Sequence, residues 1–332
     1  MLGTQFEREI REQPDVWNAL AQSDRARTLA QAIHGREVVL IGSGSSLFMA
    51  QLGALALRRR GIHAHALATA EAPLDNRAYR DAVIIACSQS GASDDLLRAI
   101  AILQPRELIA LTNTPKSPLA SRATVTIDVG AGPEYAVPAS KSVTATAAIL
   151  LWAAGLMSDS HARNANALTE TAEDVRAWLN GPGVEEISAA AQRLARRRSV
   201  IIVGAGYGVP VANEYALKLK EASYIHAEGF SAGEFRHGSV AMLDAGCAIL
   251  GIVDQDAREI VNRPLLEAAH AETLRYVIGG RIGDIPMLGP VVNVAFNTLA
   301  WLVCAQMLAL HVGRARYVES DAPRGLQKTV NN

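Results

Sequence analysis

Cysteine is scarce in this sequence of 332 residues. The three cysteines, Cys87, Cys247 and Cys304, are odd in number, far apart and embedded in apolar runs. Neither a disulfide framework nor a cysteine-based metal site has such spacings. The sequence therefore predicts buried free thiols in a reducing compartment.

No charge of one sign dominates, because 32 Lys and Arg stand against 33 Asp and Glu. Such a chain offers no overall field for nucleic acid or an acidic membrane. The first 17 residues lack the apolar core of a signal peptide. The apolar run at 291–312 is interrupted by Asn and Gln side chains, which favours a buried core helix over a membrane span. We expect a cytoplasmic protein without nucleic-acid or membrane partners.

Nucleotide-binding motifs are also lacking. GSGSSLF at 42–48 begins like a dinucleotide fingerprint, but Leu47 stands where the third glycine belongs, and no acidic residue follows before Glu71. Nor does either glycine loop of the chain match G-x-x-x-x-G-K-[ST] or G-x-S-x-G. We predict no cofactor, and the sequence disfavours nucleoside triphosphate and acyl-serine chemistry.

The chain contains an internal repetition, because VVLIGSGSS at 38–46 recurs in kind as VIIVGAGYG at 200–208. β-type runs follow each copy and alternate with helical stretches, among them 46–60, 94–103 and 210–225. This alternation predicts two α/β domains in tandem, each a doubly wound, flavodoxin-like parallel sheet with helices on both faces. We place the domains at 1–160 and 161–312 and a C-terminal tail at 313–332.

The stretch CSQSGASDD at 87–95 ends a β-type run with hydroxyl and amide side chains around Gly91. Ligands of open parallel sheets bind at the carboxyl ends of the strands. Hydroxyl groups and the backbone N–H groups of a helix start make a neutral cradle for phosphate. An ordinary N-cap and turn at Ser93-Asp94 fits equally well. This stretch alone leaves both interpretations open.

The densest polar segment is 213–239. On a helix, Glu214, Lys218 and Glu221 share one stripe within an apolar face, which indicates a buried or cleft-lining site. The alternative is a surface ion-pair ladder of small energetic value. Four more His and Glu residues follow at spacings that match no zinc signature: His226, Glu228, Glu234 and His237. The segment favours proton transfer, and no metal is predicted.

Five long motifs span nearly the whole chain: SQSG at 88–91, LTNTPKSPLA at 111–120, GPEYAVPASK at 132–141, ALKLKEASYIHAEGFSAGEFRHG at 216–238 and DAPRGLQK at 321–328. Together they resemble the tandem SIS (sugar isomerase) domain family. Within it, the chain is similar to the isomerase half of glutamine:fructose-6-phosphate amidotransferases and to stand-alone SIS-type glucosamine-6-phosphate deaminases. The resemblance implies two tandem SIS domains and a sugar phosphate as the ligand.

The resemblance also implies residue roles. Glu221 would be the base that moves a proton between C1 and C2, and Lys218 would support either the enediolate or this base. His237 would open the sugar ring from the neighbouring subunit, and Lys328 on the tail would face the carbonyl carbon. The implied substrate-binding residues are Ser45, Ser46, Ser88, Gln89, Ser90, Ser93 and Val137. The resemblance further implies a homodimer in which residues of both subunits form each active site and the C-terminal tail closes it.

The expected activity is that of an aldose–ketose isomerase or deaminase on amino-hexose 6-phosphates, most simply glucosamine 6-phosphate to fructose 6-phosphate and ammonia. The sequence begins Met-Leu without a cysteine glutaminase domain, which favours release of ammonia. The family's HGP is His-Gly-Ser at 237–239, and Gly325 and Gln327 replace the usual Asn and Ala, which leaves the reaction at carbon 1 open. A fructosamine-6-phosphate deglycase and a non-catalytic sugar-phosphate-binding regulator remain alternatives.

Overall fold

The computed structural model describes residues 1–75, 79–158, 160–280, 283–292 and 296–328. The chain forms two compact units. The first-sheet unit consists of Asp15–Glu134, Ala139–Thr169 and the chain from Leu326 onwards. The second-sheet unit consists of Met1–Pro14, Tyr135–Pro138 and Glu170–Gly325. The domain limits predicted from the sequence, 1–160, 161–312 and 313–332, stay a prediction.

The first-sheet unit is built on a parallel sheet with strand order β2-β1-β3-β4-β5. Its strands are β1 (Val38–Gly42), β2 (Ala64–Ala68), β3 (Val83–Ser88), β4 (Glu107–Thr112) and β5 (Val125–Asp128). This is the flavodoxin-like order, in which the chain reverses its direction of winding between β1 and β3. The strand ends at that point are the expected ligand site of such a sheet.

Helices of the first-sheet unit cover this sheet. They are α2 (Arg25–Ile33), α3 (Ser45–Arg58), α4 (Asp94–Leu103) and α5 (Lys141–Gly155), with parts of α1 (Thr4–Ala21) and α6 (His161–Asn180). α4 buries Leu96, Ala99, Ile100 and Leu103, which fall on one face at helical spacing. α5 is buried along nearly its whole length because it carries small and apolar side chains throughout.

The second-sheet unit repeats this plan with strand order β7-β6-β8-β9, again parallel. Its strands are β6 (Ser199–Gly204), β7 (His226–Ser231), β8 (Cys247–Ile252) and β9 (Leu274–Ile278). Its remaining helices are α7 (Gly183–Leu194), α8 (Gly208–Ser223), α9 (Ala232–Phe235), α10 (Arg258–His270) and α11 (Asn297–Ala315). The predicted fold class is therefore confirmed, with two parallel sheets flanked by helices.

α11 is long and apolar enough to cross a membrane, but 83% of its most apolar window is buried inside the protein. It packs against α7 and α8. Gln306 Oε1 of α11 accepts a hydrogen bond of 2.7 Å from the buried side-chain amide of Gln13. Near the end of α11, the guanidinium of Arg314 lies 2.7 Å from the carboxylate of Glu7. α11 is a core helix of its unit. The predicted apolar run began at 291, and its residues 293–295 lie outside the described residues.

Candidate active site

Serine hydroxyls shape the loop that follows β3. The amide of Gly91 donates to Ser88 Oγ at 3.0 Å, and the amide of Ala92 donates to Ser90 Oγ at 3.3 Å. Gly91 has a φ of +60°, and a Cβ there would come within 2.1 Å of Ser117 Oγ. Only glycine fits this position, because both the backbone angle and the close approach exclude a side chain. The loop is thereby held in one tight turn.

The polar side chains of this loop lie at the protein surface without being fully exposed. Ser88, Gln89, Ser90 and Ser93 are all half-buried. Ser93 occupies the N-cap position of α4, yet within the described residues its hydroxyl makes no capping hydrogen bond. Ser93 therefore stands at the start of α4 without a side-chain hydrogen bond to the described first turn of the helix. That the loop is an anion cradle rather than an ordinary turn stays a prediction.

The ends of β1 and β3 meet at a small cavity in the first-sheet unit. Its volume is about 30 Å³, and its lining consists of Ser45, Ser46, Met49, Gln89, Ala139, Ser142, Val143 and Thr146. A volume of this size holds a water molecule or one hydroxyl group rather than a whole sugar phosphate. The cavity brings together three of the predicted substrate-binding residues, at the point where the strand order reverses.

A buried carboxylate lies close to this cavity. Glu134, whose side chain is fully buried, accepts hydrogen bonds from the amides of Ser140 and Ser142 at the start of α5 and from Ser142 Oγ at 2.8 Å. The ammonium of Lys328, which the sequence predicts at the reaction centre, lies 3.1 Å from its second oxygen. Burial raises the pKa of Glu134, but the Lys328 charge and these hydrogen bonds outweigh burial and hold the pKa below its ordinary value.

Sequence reasoning missed Glu134, Ser142 and Thr146. The available signal was an acidic residue within the motif GPEYAVPASK, directly before the largely apolar helix α5. An acidic side chain next to such a helix has to be exposed or to find partners. Glu134 is buried with partners, and one of them is Lys328, which lies 194 positions further along the chain.

The second-sheet unit contains the predicted acid–base group on α8. Lys218 is 1% exposed, and its Nζ lies 2.6 Å from Glu221 Oε2 and 3.4 Å from Glu214 Oε1. Glu214 is completely buried, whereas the side chain of Glu221 is 20% exposed. The interpretation of this stripe as a surface ion-pair ladder is wrong. Of the two carboxylates, Glu221 is the one that reaches solvent.

The environment of Lys218 fixes its charge. Burial by itself lowers the pKa of the lysine, but Glu214 and Glu221 outweigh that effect and raise the pKa above its ordinary value. Lys218 is therefore a permanent ammonium at neutral pH. Its Nζ lies 2.6 Å from Glu221 Oε2, so a positive charge stands beside the candidate base.

Two predicted residues lie elsewhere in the second-sheet unit. His237 is exposed in the turn after α9, where its amide donates to the carbonyl of Glu234. The backbone amide of Val137 donates to the carbonyl of Asp321 at 2.9 Å, so this amide is occupied by the tail. Among the described residues, no group of three or more His, Cys, Asp or Glu is placed to hold a metal ion. His226 and Glu228 form only a pair, 3.2 Å apart on β7.

The fold defines an α/β protein with two parallel sheets, one of which has a hydroxyl-rich loop at the end of its strand β3. The family model of the SIS domain matches residues 33–156 and 193–274, more than half of the chain. The chain belongs to the SIS domain family.

A curated relative is the isomerizing glutamine–fructose-6-phosphate aminotransferase of Pyrobaculum aerophilum, 30% identical over 344 residues that cover 97% of this chain and 56% of that protein. The chain spans about half the length of the curated relatives it matches. A solved glucosamine-6-phosphate deaminase from Thermotoga maritima has a TM-score of 0.80 at 22% identity, covering 98% of this chain and 99% of that chain. The tagatose-6-phosphate ketose/aldose isomerase of Escherichia coli has a TM-score of 0.83 at 20% identity, covering 96% and 95%.

Proposed function

We propose that this protein is an amino-sugar phosphate deaminase and isomerase that converts glucosamine 6-phosphate and water to fructose 6-phosphate and ammonia. The observation that carries the proposal is the Lys218–Glu221 pair of 2.6 Å, in which a buried ammonium holds a solvent-accessible carboxylate. Moving a proton between adjacent carbons of an open-chain sugar requires such a base.

The proposed reaction has three stages. His237 assists opening of the pyranose ring, which frees the aldehyde at C1. Glu221 then takes the proton from C2 and returns it to C1, while one proton passes from the amine to the C1 oxygen, so that the aldehyde becomes an alcohol and the amine-bearing C2 becomes an imine. Water adds to that imine, and ammonia leaves to give the C2 ketone. Lys328 is placed by the proposal beside the carbonyl carbon, where its positive charge stabilises the negative charge that develops during proton transfer.

The hydroxyl-rich loop is proposed to hold the phosphate. Ser88, Ser90 and Ser93 offer hydroxyl groups beside the start of α4, and Ser45 and Ser46 begin α3 at the neighbouring strand end. Fixing the phosphate orients the opposite end of the sugar for reaction, and well-oriented groups gain a large part of the rate enhancement in this way. The names of the similar proteins support the substrate class, since each refers to a hexose 6-phosphate.

The test is a turnover assay on a panel of glucosamine 6-phosphate, glucose 6-phosphate and a fructosamine 6-phosphate, with ammonia and ketose phosphate measured separately. We expect ammonia and fructose 6-phosphate in equal amounts from the first compound. Glu221→Gln should lower kcat by about 10² to 10⁴, the contribution of a general base, with little change in sugar-phosphate binding.

Glu259→Gln is the matched control, because it makes the same substitution at an exposed helical ion pair with Arg263 in the same unit. It should retain full activity. If the fructosamine 6-phosphate is the only compound from which an amine is released, the protein is a fructosamine-6-phosphate deglycase and the proposal is wrong. Binding of sugar phosphates without turnover of any of them would favour the regulator.

We further propose that the active enzyme is a homodimer in which His237 serves the site of the partner subunit. The exposed position of His237 supports this. Mixing and reassembling inactive Glu221→Gln and His237→Asn proteins tests it, because a mixed dimer then has one site with both defects and one with neither. About a quarter of wild-type activity should return if sites are shared across a twofold interface. No recovery in demonstrably mixed dimers would contradict the shared site.

A further inference from the structure

The two oxygens of the Glu134 carboxylate have different tasks. Oε1 accepts the amides of Ser140 and Ser142 at 2.9 and 3.2 Å and thereby satisfies the first turn of α5. Oε2 accepts Ser142 Oγ at 2.8 Å and the Lys328 ammonium at 3.1 Å. One side chain thus caps a core helix and holds the lysine of the C-terminal tail.

We infer that Glu134 is the positioning residue of the proposed reaction: it fixes the Lys328 ammonium next to the polar cavity at the ends of β1 and β3. The inference rests on the proposed function in so far as Lys328 acts on the substrate. It assigns to Glu134 no contact with the sugar. Glu134 acts through the lysine that it holds.

Charge and burial explain why this contact can hold the end of the tail. The side chain of Glu134 is fully buried, while that of Lys328 remains 25% exposed. A buried carboxylate is costly unless a cation and hydrogen bonds accompany it. Binding of Lys328 therefore supplies the positive charge that the buried carboxylate requires.

Ser142 connects this pair to the cavity. Its Oγ donates to the same Glu134 oxygen that holds Lys328, and its side chain also lines the cavity with Ser45, Ser46 and Gln89. The lysine is therefore connected through Glu134 and Ser142 to the cavity that the predicted sugar-binding residues also line. The Glu134 carboxylate restricts the position of the Lys328 ammonium more than water molecules would. This restriction reduces the entropic cost of orienting the ammonium for reaction.

A glycine separates Lys328 from the contacts that hold the preceding part of the tail. Within the second-sheet unit, Asp321 accepts the amides of Gln5 and Phe6 at the start of α1, and the guanidinium of Arg324 lies 4.6 Å from the ring centre of Tyr224. Gly325 follows with a φ of +72° and open space where a Cβ would lie. Glycine adopts this backbone angle without the steric cost that a side chain would bring.

Glu134→Gln separates the two tasks of this side chain. The amide oxygen can still accept the N–H groups of α5, but the amide nitrogen is a donor and cannot accept a hydrogen bond from Lys328. Glu107→Gln is the control, because it removes a partly exposed ion pair with Arg36 elsewhere in the same unit. Glu134→Asp is a second variant. It keeps the negative charge, but its side chain is shorter by one methylene group, so the carboxylate lies further from Lys328.

The direct readout is the rate at which an amine-acylating reagent modifies Lys328, measured by mass spectrometry against exposed Lys116 in the same molecules. We expect Lys328 to react severalfold faster in Glu134→Gln and in Glu134→Asp than in the wild type, with Lys116 unchanged. The kcat of Glu134→Gln should fall by about ten- to a hundredfold, the range given by loss of a hydrogen bond to a charged group, while KM stays within about twofold. A purely structural role would alter thermal stability without this selective labelling.

The results separate the inference from the proposed function. If the wild type converts none of the sugar phosphates, the proposed function fails, and the labelling still measures whether Glu134 holds Lys328. If the wild type is active and both variants keep normal kcat and normal Lys328 labelling, the positioning role is refuted. If Glu134→Gln does not fold, Glu134→Asp gives the same two measurements.

Discussion

Replacement of Lys218 by methionine tests whether the charges on α8 are as deeply buried as the structure shows. Lys218 is 1% exposed and lies between Glu221 at 2.6 Å and the fully buried Glu214 at 3.4 Å. Methionine fills much of the same volume, so the main change is electrostatic. Removing one partner of a buried ion pair costs about 3–5 kcal/mol, because the other charge remains in the interior without compensation.

The cost should depend on pH with a definite sign. Without Lys218, burial disfavours the charged form of Glu214, and its pKa rises above the ordinary value of a glutamate. The folded variant then binds a proton more tightly than the unfolded chain does. The destabilisation is therefore greatest above that raised pKa and shrinks as the pH falls. Glu221 contributes less, since its partly exposed carboxylate can still be hydrated.

Thermal unfolding at pH 5.5 and pH 7.5 measures this effect. For a folding unit of 150–250 residues, the size range of the second-sheet unit, about 1 kcal/mol shifts the midpoint by roughly 2–4 °C, so Lys218→Met should lower the midpoint of that unit by roughly 6–20 °C at the higher pH. The double variant Glu214→Gln with Lys218→Met also removes the buried carboxylate charge and should recover much of the loss. A Lys218→Met protein that melts within about 1 °C of the wild type at both pH values would refute the reasoning.

Three further predictions concern the other groups. A crystal soaked in sulfate or inorganic phosphate should show the anion within hydrogen-bond distance of the loop 88–93, and Ser90→Ala should weaken sugar-phosphate binding; an anion at 204–208 instead would overturn the assignment. Truncation after Gly325 should leave a folded protein whose kcat falls at least about a hundredfold, measured beside circular dichroism, because the Asp321 anchor is kept while Lys328 is lost; normal turnover would exclude the tail from catalysis. Because the pKa of Glu134 is lowered in the folded state, it contributes stability that is present above the unfolded-state pKa of about 4.3 and lost as the pH falls through the folded-state value. Below about pH 4.5 the stability of Glu134→Gln should therefore fall less steeply with decreasing pH than that of the wild type. Parallel acid-unfolding curves of the two proteins would contradict this prediction.

The elements that the sequence could predict are those with a strong local pattern. β1, β3 and β8 are apolar runs that are buried on both faces of their sheets, and such runs are typical of central parallel strands. α4 was predicted at 94–103 and is found at Asp94–Leu103, because its apolar face and its preceding serine are both visible in the sequence. The hydroxyl-rich stretch at 88–93 was likewise placed at a strand end and is found between β3 and α4, whereas its role in binding a ligand stays a prediction.

Other strands could not be recognised in the same way. β2, β5 and β7 lie at sheet edges, and their side chains are largely exposed or half-buried. β7 in particular contains His226, Glu228 and Gly229, which favour an interpretation as a polar loop. Their strand conformation depends on pairing with β1, β4 and β6, which lie far from them in the sequence or are separated by a helix.

The sequence by itself determined the chemical groups and their local spacing. Lys218 and Glu221 are three positions apart on one helix, so their contact follows from helical geometry. Only the tertiary structure decided that Glu221 is the accessible carboxylate and Glu214 the buried one, because burial depends on which face α11 and β7 cover. It also decided that Glu134 receives Lys328. A contact between residues 194 positions apart leaves no periodic pattern, since it depends on where the folded chain brings the tail back to α5.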